Sequence, residues 1–387
     1  MKRFALMPCP DEFTESACPY LLFRKQNKKK LQSMKTKWMY LLLAVTLVLS
    51  ACKKEDDKED EVPASEDYAT GAYVVNEGAF LANNASLTHI SNEGVVSNDV
   101  YFTVNGVELG DVLQSFQVIG DKGYAVVNNS QKVEVVDLKT MENVGTITGI
   151  DYPRYMVASG SNTACLTDGS FGGTLKIINT QTNAITGSIA VGTGPNQLLA
   201  LNNDVWVCNE GGFGSDSTIS IVSTASNSVI DVIEVGLRPS DIVKDALGNV
   251  WVLCAGETYY DENWAVSGHT PALLYRINAQ TREVVSSVQV GQLGDHPKQL
   301  EVSPDGTMLY YENNGVYIFD LLNGDFPGVL LISGARSGLS VHPVTGEVWC
   351  ASISDYTNPS QVFVYSPSGS LRYTYTAGIA ANGVVFK

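Results

Sequence analysis

The cations of this chain are few, and four of them recur at one place in a repeat. Residues 68–387 hold 13 Lys and Arg against 30 Asp and Glu. Arg154, Arg238, Lys298 and Arg336 sit in equivalent short segments: Tyr152-Pro153-Arg154, Arg238-Pro239-Ser240, His296-Pro297-Lys298 and Ala335-Arg336-Ser337. Such groups donate to carboxylates, phosphates and amide oxygens, and the planar fork of Arg serves two acceptors at once. The plainer alternative is that each pairs with a neighbour such as Asp151, Asp241 or Asp295 and ties loops together. A second set of residues is aromatic. Phe80, Phe171, Phe213, Tyr259, Tyr260, Trp264 and Tyr356 fall among Gly, Asn and Ser, and glycines flank Phe171 and Phe213. Rings in such loops have little core to join, and exposed rings that converge mark a binding surface. Packing of loop on loop is the competing reading.

Catalytic constellations are sparse. The four histidines, His89, His269, His296 and His342, lie far apart without metal-ligand spacing. Nucleophile-elbow, phosphate-loop and dinucleotide motifs are missing. A lyase or hydrolase would have to use His296 with Glu210 or Glu257, and a turn-capping histidine explains His296 more simply. The expectation is a binder, not an enzyme, with no metal and no cofactor of its own. The net charge of -16 speaks against nucleic acid, which needs a basic footprint.

These residues must be positioned by something, and a repeat supplies it. From Tyr68 on, no stretch keeps a 3.6-residue apolar period; short β-rich runs alternate with Gly, Asn, Asp and Pro. One strand-centre position recurs as Tyr73, Tyr124, Cys165, Trp206, Trp251, Tyr310 and Trp349. A turn position recurs as Ser91, Asp137, Asn179, Ser223, Asn278, Asp320 and Ser366. Seven units of four strands predict an all-β, seven-bladed β-propeller. The first unit lacks an inner strand and the chain ends with a spare one, Gly383-Val384-Val385-Phe386. Pairing that C-terminal strand into blade one would close the ring and hide two edges. Trp206, Trp251 and Trp349 are then inter-blade core. Cys165, Cys208, Cys254 and Cys350 fall on second strands of different blades, too far apart to bridge, and are expected as buried free thiols. In this topology the cation segments and the aromatic loops share one face. Blade five breaks the period at Ala255–Pro271, and its Tyr259, Tyr260 and Trp264 are expected to fold over the mouth.

Ahead of the propeller, 68–387, the chain reads as an address. Residues 1–33 look like a mis-assigned extension, and 34–51 form a signal peptide with Lys35 and Lys37 before an apolar run. That run is too short to span a bilayer. It ends Leu49-Ser50-Ala51-Cys52, which resembles the bacterial lipoprotein box, so Cys52 is the expected lipidation site. Residues 52–67 form an acidic tether whose run behind the Cys resembles the export signal of surface lipoproteins in Bacteroidetes-type bacteria. The expected location is the outer membrane, lipid-anchored and exposed at the cell surface.

The unit Leu175-Lys176-Ile177-Ile178-Asn179-Thr180, followed by Ile189-Ala190-Val191-Gly192 and Gly194-Pro195, resembles the surface-layer, YncE-like propeller repeat. Val75-Asn76-Glu77-Gly78, Leu109-Gly110-Asp111, Asn128-Asn129-Ser130 and Pro153-Arg154-Tyr155 together resemble a narrower family of Bacteroidetes lipoprotein propellers. It includes the BtuG-type proteins, which capture cobalamin and pass it to a TonB-dependent outer-membrane transporter. The resemblance implies a corrinoid ligand, such a transporter as partner, a monomeric propeller, and Asn128 and Tyr155 as further ligand-binding residues. A glycan- or protein-binding surface propeller is the alternative, and a propeller lyase or hydrolase a more distant one.

Overall fold

The computed structural model describes residues 67–169, 172–323 and 328–387. The expected extension, signal peptide and tether, with Cys52, lie outside them up to residue 66, as does Phe171. Seven four-stranded antiparallel sheets are present among the described residues. They follow one another as 113–147, 153–190, 195–234, 239–289, 298–333 and 338–379, behind a first sheet built from both ends of the chain. That first sheet pairs β1 (Ala72–Asn76) with β30 (Ala381–Phe386) in antiparallel register, Ala72 opposite Phe386 and Val75 opposite Gly383. Gly71 and Lys387 exchange two more backbone bonds. The expected seven-bladed propeller, closed by its C-terminal strand, is what forms.

The strands differ by position in the blade, and sequence explains why. Second strands are covered on both faces by the neighbouring blades. They therefore read as continuous apolar runs, as in Asn249–Cys254, where all six residues are buried. Fourth strands lie on the rim and alternate, as in Ala184–Ala190. All seven strand-centre anchors are buried. Core clusters span adjacent blades: Trp206 and Ile219 of blade four pack with Val250 and Ile277 of blade five. The turn anchors have their own cause. Asp137, Asn179, Asn278 and Asp320 each accept backbone N–H groups from the residues two and three ahead. This is how Asx side chains fix a turn between strands. Cys165, Cys208, Cys254 and Cys350 are free and buried, and burial pushes the Cys254 and Cys350 thiols up to about 12.

Two details depart from the repeat. A six-residue helix, α1 (Val100–Asn105), leads from blade one to blade two and buries Val100 and Tyr101. Fewer than two turns leave no visible helical period. In blade five, the insertion forms a hairpin of β18 (Thr258–Tyr260) and β19 (Val266–His269).

Candidate functional site: the loop-face mouth

The inner strands of all seven blades surround a central cavity of about 310 Å³. Its lining mixes apolar side chains such as Phe116, Leu198 and Leu339 with Gln114, Gln117, Tyr155, Gln197, Gln299 and Asn382, and holds two carboxyls, Asp241 and Glu301. Asp241 accepts backbone N–H groups from Ile242 and Leu300, both at 2.8 Å. Burial, reinforced by Glu210, still pushes it up to about 7. Burial and the neighbouring Asp241 push Glu301 well above the ordinary carboxylate range.

Above this channel, on the face of the cation segments, two cavities of about 120 and 390 Å³ share Glu210 and Arg238. The smaller is lined by Tyr152, Arg154 and Phe213, the larger by Glu257, Thr258, His296 and Lys298. Glu210 follows Asn209, a buried residue whose amide donates to Thr218 and Ser220 of the next strand. Asn76 does the same to Ser86 and Thr88 in front of Glu77. The Asn-Glu-Gly end of a second strand thus locks the Asn into the blade. It leaves the Glu beside the mouth cations: Arg154 and Arg238 for Glu210, Arg154 and Lys298 for Glu77. Burial raises both glutamates, and the cations partly offset that rise.

The four cations are held in different ways. Arg154 donates to Gln114 at 2.8 Å and Asn196 at 3.0 Å, lies 4.0 Å from Glu210, and stands over the Tyr152 ring. Arg238 lies 3.8 Å from Glu210 and 3.9 Å from Glu257, with a 3.4 Å contact to the Gly214 carbonyl. Those carboxylate distances are longer than a hydrogen bond, so its fork is not committed to either partner. Lys298 is exposed, and among the described residues its ammonium makes no hydrogen bond or close ion pair, with Glu77 as its counter-charge. Arg336 is turned elsewhere: its guanidinium donates to the carbonyls of Ser333, Gly334 and Ala335 and to the Tyr365 hydroxyl, over the Phe363 ring. The neighbouring aspartates weighed from sequence are not the partners: Arg154 and Arg238 face Glu210 at the end of a second strand, and Arg238 also faces Glu257 at the base of the blade-five insertion.

The aromatic residues divide likewise. Phe213 is 71% exposed, its ring 5.7 Å from that of Tyr152, at the edge of the smaller cavity. Phe80 and Tyr356 are exposed in their second-to-third-strand loops, and neither lines the two cavities. The blade-five hairpin meets the mouth through its base. Thr258 bonds both His269 and His296, and the other His296 nitrogen lies 2.9 Å from the Ala255 carbonyl. Both ring nitrogens of His296 are therefore engaged. Tyr259, Tyr260 and Trp264 are exposed beyond that base, with Tyr260 and Trp264 in ring contact, and line neither cavity. Asn128 is buried and donates to the Pro153 carbonyl, tying blade two to blade three. Tyr155 faces the central channel, and its hydroxyl accepts from Gln114.

Residues 70–370 match the model of a family described as a domain of unknown function, DUF5074. The chain belongs to that family. No curated protein matches it in sequence. Among solved structures it resembles a quinonprotein alcohol dehydrogenase-like protein from Bacteroides thetaiotaomicron, at 15% identity and a TM-score of 0.62. That likeness covers 83% of this chain and 79% of the other. It also resembles a candidate 6-phosphogluconolactonase from Bacteroides fragilis, at 14% identity, a TM-score of 0.60, and 84% and 99% coverage. Hydrazine synthase from Kuenenia stuttgartiensis matches at 15% identity, a TM-score of 0.60, and 82% and 98% coverage. At such identities these likenesses speak to the fold alone, and function rests on the site.

Proposed function

We propose that this protein is a lipid-anchored surface binder that captures a large, amide- or phosphate-edged ligand at the loop-face mouth, namely cobalamin or a related corrinoid. The capture step precedes handover to a TonB-dependent outer-membrane transporter. One observation carries the reading: Arg238, its fork uncommitted, borders both cavities, with the exposed ring of Phe213 on the smaller and Lys298 on the larger. A broad ligand can lay its flat face on Phe213 and Tyr152 while its amide or phosphate oxygens accept from the two cations. Anchoring rests on the lipoprotein box at Cys52, and the transporter on the family resemblance of the sequence.

Thr258 and the Ala255 carbonyl hold His296, which ties the hairpin base to the mouth as a loop-fixing residue would. The test is direct: full-length protein is mixed with cyanocobalamin and desalted. A red protein peak is expected, and a colourless one sinks the corrinoid reading. The anchoring half is tested with Cys52→Ser, which should move the protein from the membrane to the soluble fraction.

A further inference from the structure

We propose that the seam between blades seven and one carries a second binding site, for a neutral saccharide, on the face opposite the mouth. A cavity of about 360 Å³ lies there, between the strand turns at 342–347 and 91–95. Its size falls within the usual range of small-ligand pockets. It is independent of the mouth and shares no residue with either mouth cavity.

The cavity wall is a strip of ring faces. Trp349 and Tyr375 stack at 5.9 Å and 18°, and Tyr375 and Tyr373 at 6.2 Å and 22°. Sheet register explains the strip. Trp349 lies opposite Val364, and Val364 opposite Tyr373, so all three share one face of blade seven; Tyr375, two residues on, joins them. The strip runs from Trp349, 8% exposed, to Tyr373, 56% exposed. Phe386 and His342, 4.7 Å apart, close the other side, and Phe386 meets Trp349 edge to face. Rim strands elsewhere are free of aromatics: the fourth strands of blades one to six read VS, NVGTI, AITGSIA, SVIDVIE, VVSSVQ and VLLIS. Among the described residues only blade seven places two tyrosines on its outer strand: Tyr373 stands out in solvent, and Tyr375 packs against the Trp349 cluster.

The polar groups of this cavity define the ligand. The Trp349 indole N–H is buried without an acceptor. His342 accepts two backbone N–H groups at Nδ1, from Val344 and Thr345. Its proton is therefore on Nε2, which meets no acceptor among the described residues. Two ring N–H donors in one cavity call for ligand oxygens. Glu347 lines the same cavity and is paired with Arg372 at 2.7 Å. Its carboxylate accepts from hydroxyls and repels anions. A molecule with flat C–H faces, hydroxyl oxygens and no negative charge meets all three demands, and a neutral saccharide is such a molecule.

The full-length protein is titrated with maltotriose, cellotriose, mannotriose and triacetylchitotriose, followed by tryptophan fluorescence and calorimetry. Trigalacturonate serves as the acidic control. At least one neutral trisaccharide should bind saturably, and Tyr373→Ala, alone or with Tyr375→Ala, should weaken it at least tenfold; Tyr373→Ala alone should leave the melting temperature unchanged, because only Tyr375 also packs on the blade-seven core. Trp349→Phe keeps a ring and removes the N–H, and should weaken binding as well. Absence of binding across the neutral panel, unchanged affinity in the tyrosine variants, or equal binding of trigalacturonate would overturn the proposal. Cyanocobalamin capture should be indifferent to these variants, so the two sites can fail separately.

Discussion

Arg336 and Arg238 hold equivalent places in the sequence repeat and do different work. Arg336 gives its guanidinium to three carbonyls and a tyrosine hydroxyl between blades six and seven. Hydrogen bonds from a charged group are each worth about 1.5–3 kcal/mol. Arg336→Ala should therefore lower unfolding free energy by about 2–3 kcal/mol in a denaturant titration and leave mouth affinity unchanged, whereas Arg238→Ala should do the reverse. The repeat position of Arg154, Arg238 and Lys298 was legible in the sequence because Pro marks the start of an inner strand; Arg336, without a Pro, was placed by the blade period alone. The direction each fork takes was not, since it depends on which carbonyls the folded loop presents. Glu210 was read only as a possible catalytic partner, yet it stands between two arginines. The repeated Asn-Glu-Gly at the ends of two second strands was the signal that pointed to it. The channel carboxyls give a pH prediction. Glu301 keeps its proton in the folded protein at pH values where the unfolded chain has released it. Stability is then lost as pH rises from about 4.3, the ordinary Glu value, toward the raised folded one. Glu301→Gln should raise the melting temperature at pH 8 and leave it unchanged at pH 4; an equal shift at both would contradict the buried-proton account.

At the scale of elements, closure of the ring is the feature most open to test. Deleting Gly383–Lys387 removes four of the five paired positions of β30 and bares the edge of β1. At about 25 cal/mol per Å² of apolar surface re-exposed, the loss amounts to several kcal/mol. A melting temperature lowered by 10 °C or more is expected, and an unchanged one would refute the closure. The spare strand was legible because blade one starts one strand short. The Asx turns were legible as a periodic Asp or Asn, and their side-chain to backbone bonds explain the period. Helix α1 was not, because six residues hold no period. The blade-five hairpin was visible as an insertion of rings and acids. Its base supplies Glu257 and Thr258 to the larger cavity, while its rings stand beyond both mouth cavities. Only a ligand that overhangs the mouth reaches them.

For the whole molecule, an acidic body carries a loop-face mouth at which Arg154, Arg238 and Lys298 stand among Glu77, Glu210 and Glu257. On the proposed reading, the net charge of -16 repels most anions, and a ligand's oxygens are met at the loop face by Arg238 and Lys298. Seven blades set those groups and the rings of Tyr152 and Phe213 around one rim, which no single blade could do. The propeller was legible because it is a repeat, and repetition multiplies a weak strand signal seven times. The directions of the mouth side chains were less so, because they are set by how the loops fold against one another rather than by their composition. The most direct measurement is the affinity of full-length protein for cyanocobalamin, beside Arg238→Ala with Lys298→Ala and Tyr259→Ala with Tyr260→Ala and Trp264→Ala. The account predicts saturable binding that the cation variant weakens by at least about 30-fold, close to 2 kcal/mol, and the hairpin variant by a similar factor, with unchanged melting temperatures. A wild-type protein that leaves cyanocobalamin unbound, or a cation variant that binds it equally well, would contradict the account.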